Sequence, residues 1–341
     1  MPDTTTLPPS QRIRGVLAPV VTPFKADFSA DCERFIRHCQ WLVSQNCGLA
    51  VFGTNSEANS MSAEERMTLL DAVVAAGIDP SRMMAGTGCC SITETVALTA
   101  HAVKHGCAGM LMLPPFYYKD VSDEGLYGYF SDVVQRVADT RLRIYLYHIP
   151  PVAIVGITPK LVERLLKAYP NTIAGMKDSS GDWNNTRIFL DAFAETARPA
   201  PAARTTRTFD VFVGSESFLL ANMCNGGAGA ISATANVNPA AIHRLYAEST
   251  VASAVSADLE TQQARLNVVR DVFSNRKFPS MIAALKQAIA IYRNDPEWTR
   301  VRPPLIELTK EQASLFAAAL KTIGFAMPGI HTKAQQAGCA P

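Results

Sequence analysis

Short apolar runs, each bounded by turn-forming residues, recur along the chain at residues 16–21, 49–52, 82–85, 110–113, 144–147, 173–176, 211–213 and 229–231. Their starts lie 18 to 38 residues apart, the length of one strand plus a crossover helix. Near-continuous apolar strands of this kind suit a parallel sheet covered on both faces. The intervening segments carry helix-start signals. Ser62–Glu65 and Ser91–Glu94 read as capping boxes, and Thr158-Pro159 and Asn238-Pro239 place a cap residue before a proline at the first helical position. Apolar residues then follow helical spacing, as in Phe35, Ile36, Cys39, Leu42 and Val43, and Gly48, Gly77 and Gly106 follow the helix ends. Eight β/α units could form an open sheet, but eight is the number that closes a barrel and removes both edges. The pattern therefore predicts an α/β fold, a (β/α)8 TIM barrel over residues 13–238. Residues 239–328 read as helices only, including one opened by the capping box Thr309–Gln312, and form a C-terminal helical extension. Residues 1–12 read as a disordered leader, 196–208 as a surface loop and 329–341 as a flexible tail.

Composition narrows the class. Hydrophobic residues make up 48% of the 341 residues and charged residues 18%, enough for a sizeable core and too little charge for disorder. A formal net charge of +2, spread along the chain, gives no footprint for nucleic acid or an anionic membrane, which leaves a small molecule as the expected partner. The absence of an export signal or an apolar run long enough to span a bilayer predicts a cytoplasmic protein. The eight cysteines show no disulfide framework and no zinc-type pairing. The only close histidine pair, His101 and His105, lacks the intervening glutamate of a metalloprotease helix, so no metal is expected. Gly86-Thr87-Gly88 is too short to indicate a dinucleotide, and no cofactor is expected.

In such a barrel the active site lies where the strands end. The polar candidates there are Gly53-Thr54-Asn55-Ser56-Glu57 after strand two, Pro114 to Tyr118 after strand four, Tyr147-His148 at the end of strand five, Lys177-Asp178 after strand six and Gly214-Ser215-Glu216 after strand seven. Burial of an amine disfavours its ammonium form, and a neutral amine is a nucleophile able to form an imine with the ketone of a 2-oxo acid. Lys177 suits that role; equally, it could be paired with Asp178. Tyr147 is a candidate proton carrier or a core tyrosine. Thr54 and Asn55 offer donors for a substrate carboxylate or serve ordinary turn chemistry.

At these residues the chain resembles the dihydrodipicolinate synthase/N-acetylneuraminate lyase family of class I, pyruvate-dependent aldolases. The resemblance runs from Gly15-Val-Leu-Ala-Pro-Val-Val-Thr-Pro-Phe24 through Gly53-Thr-Asn-Ser-Glu57, Pro115-Phe-Tyr-Tyr118, Tyr147-His-Ile-Pro150, Gly175-Met-Lys-Asp-Ser-Ser-Gly181 and Gly229-Ala-Ile-Ser232 to Arg302-Pro-Pro-Leu305. It implies a lyase in which Lys177 forms the imine and Tyr147 moves protons with Thr54 and with Tyr118, which in relatives reaches into a neighbouring subunit's site. A homo-oligomer built as a dimer of dimers is implied with it. Asn55 and Gly53 match the carboxylate-binding turn, and the Ile231 carbonyl matches one lining the pocket; Gly214 and His148 are further substrate-side candidates. Three departures from the family pattern stand out. Asn55-Ser56 replaces the usual third and fourth residues of the turn. His148 stands where asparagine is common, and reads as a substrate contact or a structural imidazole. Val152 stands where the synthases carry an arginine for the carboxylate of aspartate semialdehyde, and an apolar side chain cannot clamp a carboxylate. The sequence therefore favours condensation or cleavage of a 2-oxo acid with another aldehyde. The synthase reaction, 4-hydroxy-tetrahydrodipicolinate formation, is one alternative, and a non-catalytic 2-oxo-acid-binding barrel is another.

Overall fold

The computed structural model describes residues 12–193 and 209–330; the expected 196–208 loop and nearly all of the expected leader and tail lie outside them. Eight parallel strands form the centre: β1 (Gly15–Ala18), β2 (Gly48–Leu49), β3 (Met84–Gly86), β4 (Gly109–Met112), β5 (Ile144–His148), β6 (Ile173–Asp178), β7 (Asp210–Val213) and β8 (Gly229–Ile231). They pair in the order β2-β1-β8-β7-β6-β5-β4-β3. The parallel bridge Leu49↔Met83 and the hydrogen bond from Gly86 N–H to Val51 C=O (2.7 Å) join β2 to β3 and close the ring.

Helices α1 (Cys32–Ser44), α2 (Ala63–Ala75), α3 (Ile92–Lys104), α4 (Asp123–Val137), α5 (Pro150–Ala153), α6 (Pro159–Ala168), α7 (Trp183–Ala192) and α8 (Leu219–Cys224) alternate with the strands. The next helix, α9 (Pro239–Val251), packs on β1 and α8. It is thus the outer helix of the eighth unit, although the sequence reading began the extension with it. Then come α10 (Ala257–Phe273), α11 (Met281–Arg293) and α12 (Lys310–Thr322). Both complete capping boxes, Ser62/Glu65 and Thr309/Gln312, have the reciprocal bonds. Ser91 makes only its half, accepting from Glu94 N–H at 3.4 Å. Asn238 makes no side-chain cap, so the proline alone marks that start.

Several strand limits differ from the apolar runs. β1 stops at Ala18 because Pro19 has no N–H for the ladder. Arg82 belongs to the turn Pro80–Arg82, capped by Asp79. β6 runs two residues further than expected, so Lys177 and Asp178 lie within the strand. Arg12, assigned to the leader, has its guanidinium on Ala174 C=O (3.3 Å) and 3.7 Å from Asp210. Ile330, assigned to the tail, packs on the core.

The core has two layers. One lies between sheet and helices and includes Ile144, Leu146, Met176, Val211 and Val213. The other fills the barrel with Leu17, Met84, Leu111, Tyr145, Tyr147, Ala174, Phe212 and Ile231. The extension is fastened to the first layer's rim. Lys286 of α11, fully buried, forms an ion pair with Glu57 and donates to Arg300 C=O at 2.8 Å. The other Glu57 oxygen accepts from Arg302 N–H at 2.8 Å. Burial lowers the Lys286 pKa to about 8 against the opposing pull of Glu57. Breaking a buried pair strands the remaining charge. Lys286→Met should therefore cost about 3–5 kcal/mol in chemical unfolding, and Lys286→Met with Glu57→Gln should cost less than Lys286→Met alone; equal losses would mean that the pair is not the fastening.

Candidate active site

Side chains along a strand alternate between the two faces, and a single irregularity in β6 sets which of them enter the barrel. Ile144 pairs with Ile173, whereas the next residue of β5, Tyr145, pairs with Gly175. One extra residue is thus inserted in β6, and the parity of everything after it is reversed. Ala174 lies inside the barrel, Met176 lies outside, and Lys177 returns to the interior opposite Tyr147. His148 and Asp178, the next pair in register, point outward.

Inside, Lys177 is 3% exposed. Its Nζ donates to Tyr147 Oη at 3.2 Å and sits 4.4 Å above that ring. Tyr147 Oη is in turn 3.2 Å from Thr54 Oγ1. Amine, phenol and threonine hydroxyl form one continuous chain along which a proton can move. No carboxylate lies within ion-pair distance of Lys177 among the described residues. The pairing with Asp178 that the sequence left open does not occur. Asp178 instead accepts from Ser180 N–H (2.8 Å), Ser180 Oγ (3.1 Å), Asn185 Nδ2 (3.1 Å) and Thr186 Oγ1 (2.6 Å). It organises the entry into α7.

The turn after β2 holds Thr54 in place. Gly53 N–H donates to Ser56 Oγ at 3.2 Å, and Thr22 Oγ1 donates to the Ser56 carbonyl at 2.7 Å. Ser56 thus closes the turn with a hydroxyl, and Gly53 N–H is spent internally. Asn55 is half-buried and its amide makes no hydrogen bond among the described residues, which leaves it available to a ligand. Glu57 adopts a left-handed conformation (φ 57°) and is anchored by Lys286 and Arg302. Lys286 was missed from sequence; its signal was a lone lysine in the apolar helix Met281-Ile-Ala-Ala-Leu-Lys286.

Other candidates are distributed around this chain. Ile231 ends β8 inside the barrel. Gly214 N–H donates to Asp178 C=O at 2.6 Å, and a Cβ on Gly214 would fall 2.0 Å from Ser179 Oγ, so its requirement is close packing. Gly86 and Gly88 are explained the same way, since their Cβ atoms would meet Phe52 C=O at 2.0 Å and Leu113 N at 2.3 Å. Tyr118 is 75% exposed and stacks edge-on with Tyr117 rather than meeting Tyr147 within the chain. Val152, on α5, is 62% exposed beside the equally exposed Ile154. His148 is buried, packs near Phe189, and accepts from Ile157 N–H at 2.9 Å through Nδ1. Its Nδ1 is thereby occupied by the backbone on the outer side of the sheet.

Burial lowers the His148 pKa, opposed by nearby Asp178. The unfolded chain consequently takes up the proton first, and stability falls as pH drops below about 6.5. His38 and His243 are shifted in the same direction. His148→Asn should therefore flatten, without abolishing, the loss of Tm between pH 7 and 5; an unchanged slope would show that His148 is protonated equally in both states.

Comparison with known proteins identifies the family and the fold. Residues 12–323 match the model of the dihydrodipicolinate synthetase family. An uncharacterized DapA-like lyase of Chloroflexus aurantiacus is 32% identical over 91% of this chain and 97% of its own length. The 4-hydroxy-tetrahydrodipicolinate synthase of Rhizobium meliloti is 29% identical over 91% and 98%. Among solved structures, dihydrodipicolinate synthase from Agrobacterium tumefaciens superposes with a TM-score of 0.76 at 30% identity, covering 91% of this chain and 99% of that one. YagE, a prophage protein of E. coli K12 crystallised in complex with pyruvate, gives 0.78 at 26%, covering 92% and 99%.

Proposed function

Because the chain belongs to the dihydrodipicolinate synthetase family and is a lyase of the class I aldolase type, we propose that it joins pyruvate, or a close 2-oxo acid, to an aldehyde through an imine on Lys177, or runs that reaction in reverse. The observation that carries this reading is the buried Lys177 amine held against Tyr147 Oη without a neighbouring carboxylate. The amine adds to the C2 ketone, and Tyr147 protonates the departing hydroxyl so that it leaves as water. The iminium draws electrons from C3, whose proton is lost to give an enamine. Attack of the enamine on the aldehyde forms the carbon–carbon bond, and hydrolysis frees Lys177. Thr54 is the next station for the proton, and Asn55 with the Ile231 carbonyl borders the bound acid.

Tyr118 is exposed beside Tyr117, a position suited to completing a neighbouring subunit's proton chain in a homo-oligomer, here read as a dimer of dimers. No helix among the described residues is long and apolar enough to cross a membrane, which fits a cytoplasmic enzyme. Val152 and Ile154 present apolar side chains where a carboxylate clamp would be needed, so the acceptor is an aldehyde less acidic than aspartate semialdehyde.

Borohydride reduction in the presence of pyruvate should add one pyruvate-derived mass to Lys177 and none to Lys177→Ala; a full adduct on another lysine would refute the assignment. Tyr147→Phe should reduce kcat about 10²–10⁴-fold while leaving unfolding cooperative. Val152→Arg should raise kcat/KM for aspartate semialdehyde about tenfold, the scale of one charged hydrogen bond; efficient turnover of that aldehyde by the unaltered enzyme would instead favour the synthase reading.

A further inference from the structure

Helices α2 and α3 lie side by side on the outside of the barrel, and their facing surfaces carry a cluster with no part in the Lys177 chemistry. His101 and His105, one turn apart on α3 and its C-terminal cap, share a face of the helix. Both Nε2 atoms lie 2.7 Å from the same oxygen, Asp71 Oδ1 on α2. Their rings meet edge-on with centroids 4.7 Å apart. All three ligand-type atoms fall within 4.8 Å of one another.

Hydrogen bonding satisfies only half of this arrangement. His105 Nε2 makes a well-formed bond to Asp71. His101 Nε2, at the same distance but poorly aligned with Asp71, is sealed from solvent and has no hydrogen-bond partner among the described residues. A buried ring nitrogen in that state is costly, and coordination to a cation shared with Asp71 and His105 would satisfy it. Asp71 has no Lys or Arg partner among the described residues to neutralise it.

We propose that Asp71, His101 and His105 bind a divalent transition-metal ion of the zinc type, cross-linking α2 to α3. Two imidazoles and one carboxylate match the preferences of zinc, nickel and copper, whereas calcium and magnesium require oxygen-rich sites. Ligands about 2.0–2.2 Å from a tetrahedral ion lie about 3.3 Å apart, so Asp71 must swing outward by several tenths of an ångström. Its side chain, 53% exposed, is free to do so. The fourth position faces solvent and takes water. Helices of the outer ring run back against the strands, so the ends of α2 and α3 that carry the cluster lie at the opposite face of the barrel from Lys177. The ion therefore stabilises the fold and takes no part in turnover.

The test titrates zinc into chelator-treated, full-length protein, following heat by calorimetry and unfolding by thermal scan, with cobalt as a spectroscopic substitute. One ion per chain is expected, with a rise in Tm of about 4 °C at a hundredfold excess over Kd and a visible cobalt band of nitrogen–oxygen ligation. His101→Gln, His105→Gln and Asp71→Asn should each weaken binding at least tenfold, while the Lys177 borohydride adduct forms as before. Circular dichroism on each variant separates loss of the site from loss of the fold. Absence of zinc binding overturns the proposal. So does binding that persists in the His101→Gln/His105→Gln double variant, the result expected if exposed thiols such as Cys90 and Cys224 hold the metal.

Discussion

Side-chain parity in β6 is the constraint on which the rest of the site depends. A lysine inside a barrel is expensive unless its amine has a partner, and this amine finds one opposite Tyr147. The inserted residue near Ala174 delivers Lys177 to that level while keeping Met176 in the outer apolar layer. With regular alternation after Ala174, Met176 would enter the barrel and Lys177 would face the helices, where Ile144 and Leu146 pack. The same shift sends Asp178 outward to the hydroxyl and amide donors that organise α7.

The second requirement is that the turn after β2 hold Thr54 at the phenol. That turn carries a left-handed Glu57, a conformation that costs energy for a residue with a Cβ and persists only when its surroundings fix it. The fixing groups come from the far end of the chain, Lys286 and the backbone of Arg302. The helical extension is thus part of the machinery that positions the site, not an appendage to the barrel. Glu216 plays a parallel role after β7, gathering Ser232, Thr234 and Arg270 of α10 around one buried carboxylate.

Much of this was legible in the residues, and the illegible part has a common cause. Alternating apolar runs and cap signals report local structure, so the eight units and most helix starts could be read directly. Lys177, Tyr147 and Thr54 could be nominated because each follows or ends an apolar run. The inward aim of Lys177 was harder to read, since it depends on a one-residue irregularity whose local mark is the single Gly175, where a Cβ would lie 2.2 Å from Asp210 C=O. Pairings across the whole chain, such as Glu57 with Lys286, carry no local pattern either. The strand limits failed where hydrophobicity and hydrogen bonding part company. Pro19 is apolar but cannot donate, whereas Lys177 and Asp178 are polar yet remain in the ladder.

Asp178 has one further consequence. Its carboxylate, adjacent in sequence to Lys177, is held on the other side of the sheet by four donors. A positive charge formed at the lysine nitrogen therefore finds no protein anion at ion-pair distance among the described residues. A ligand carboxylate then supplies a counter-charge, which favours keto acids over simple ketones of the same shape. A pocket that holds no carboxylate of its own at the lysine leaves that place to the ligand's.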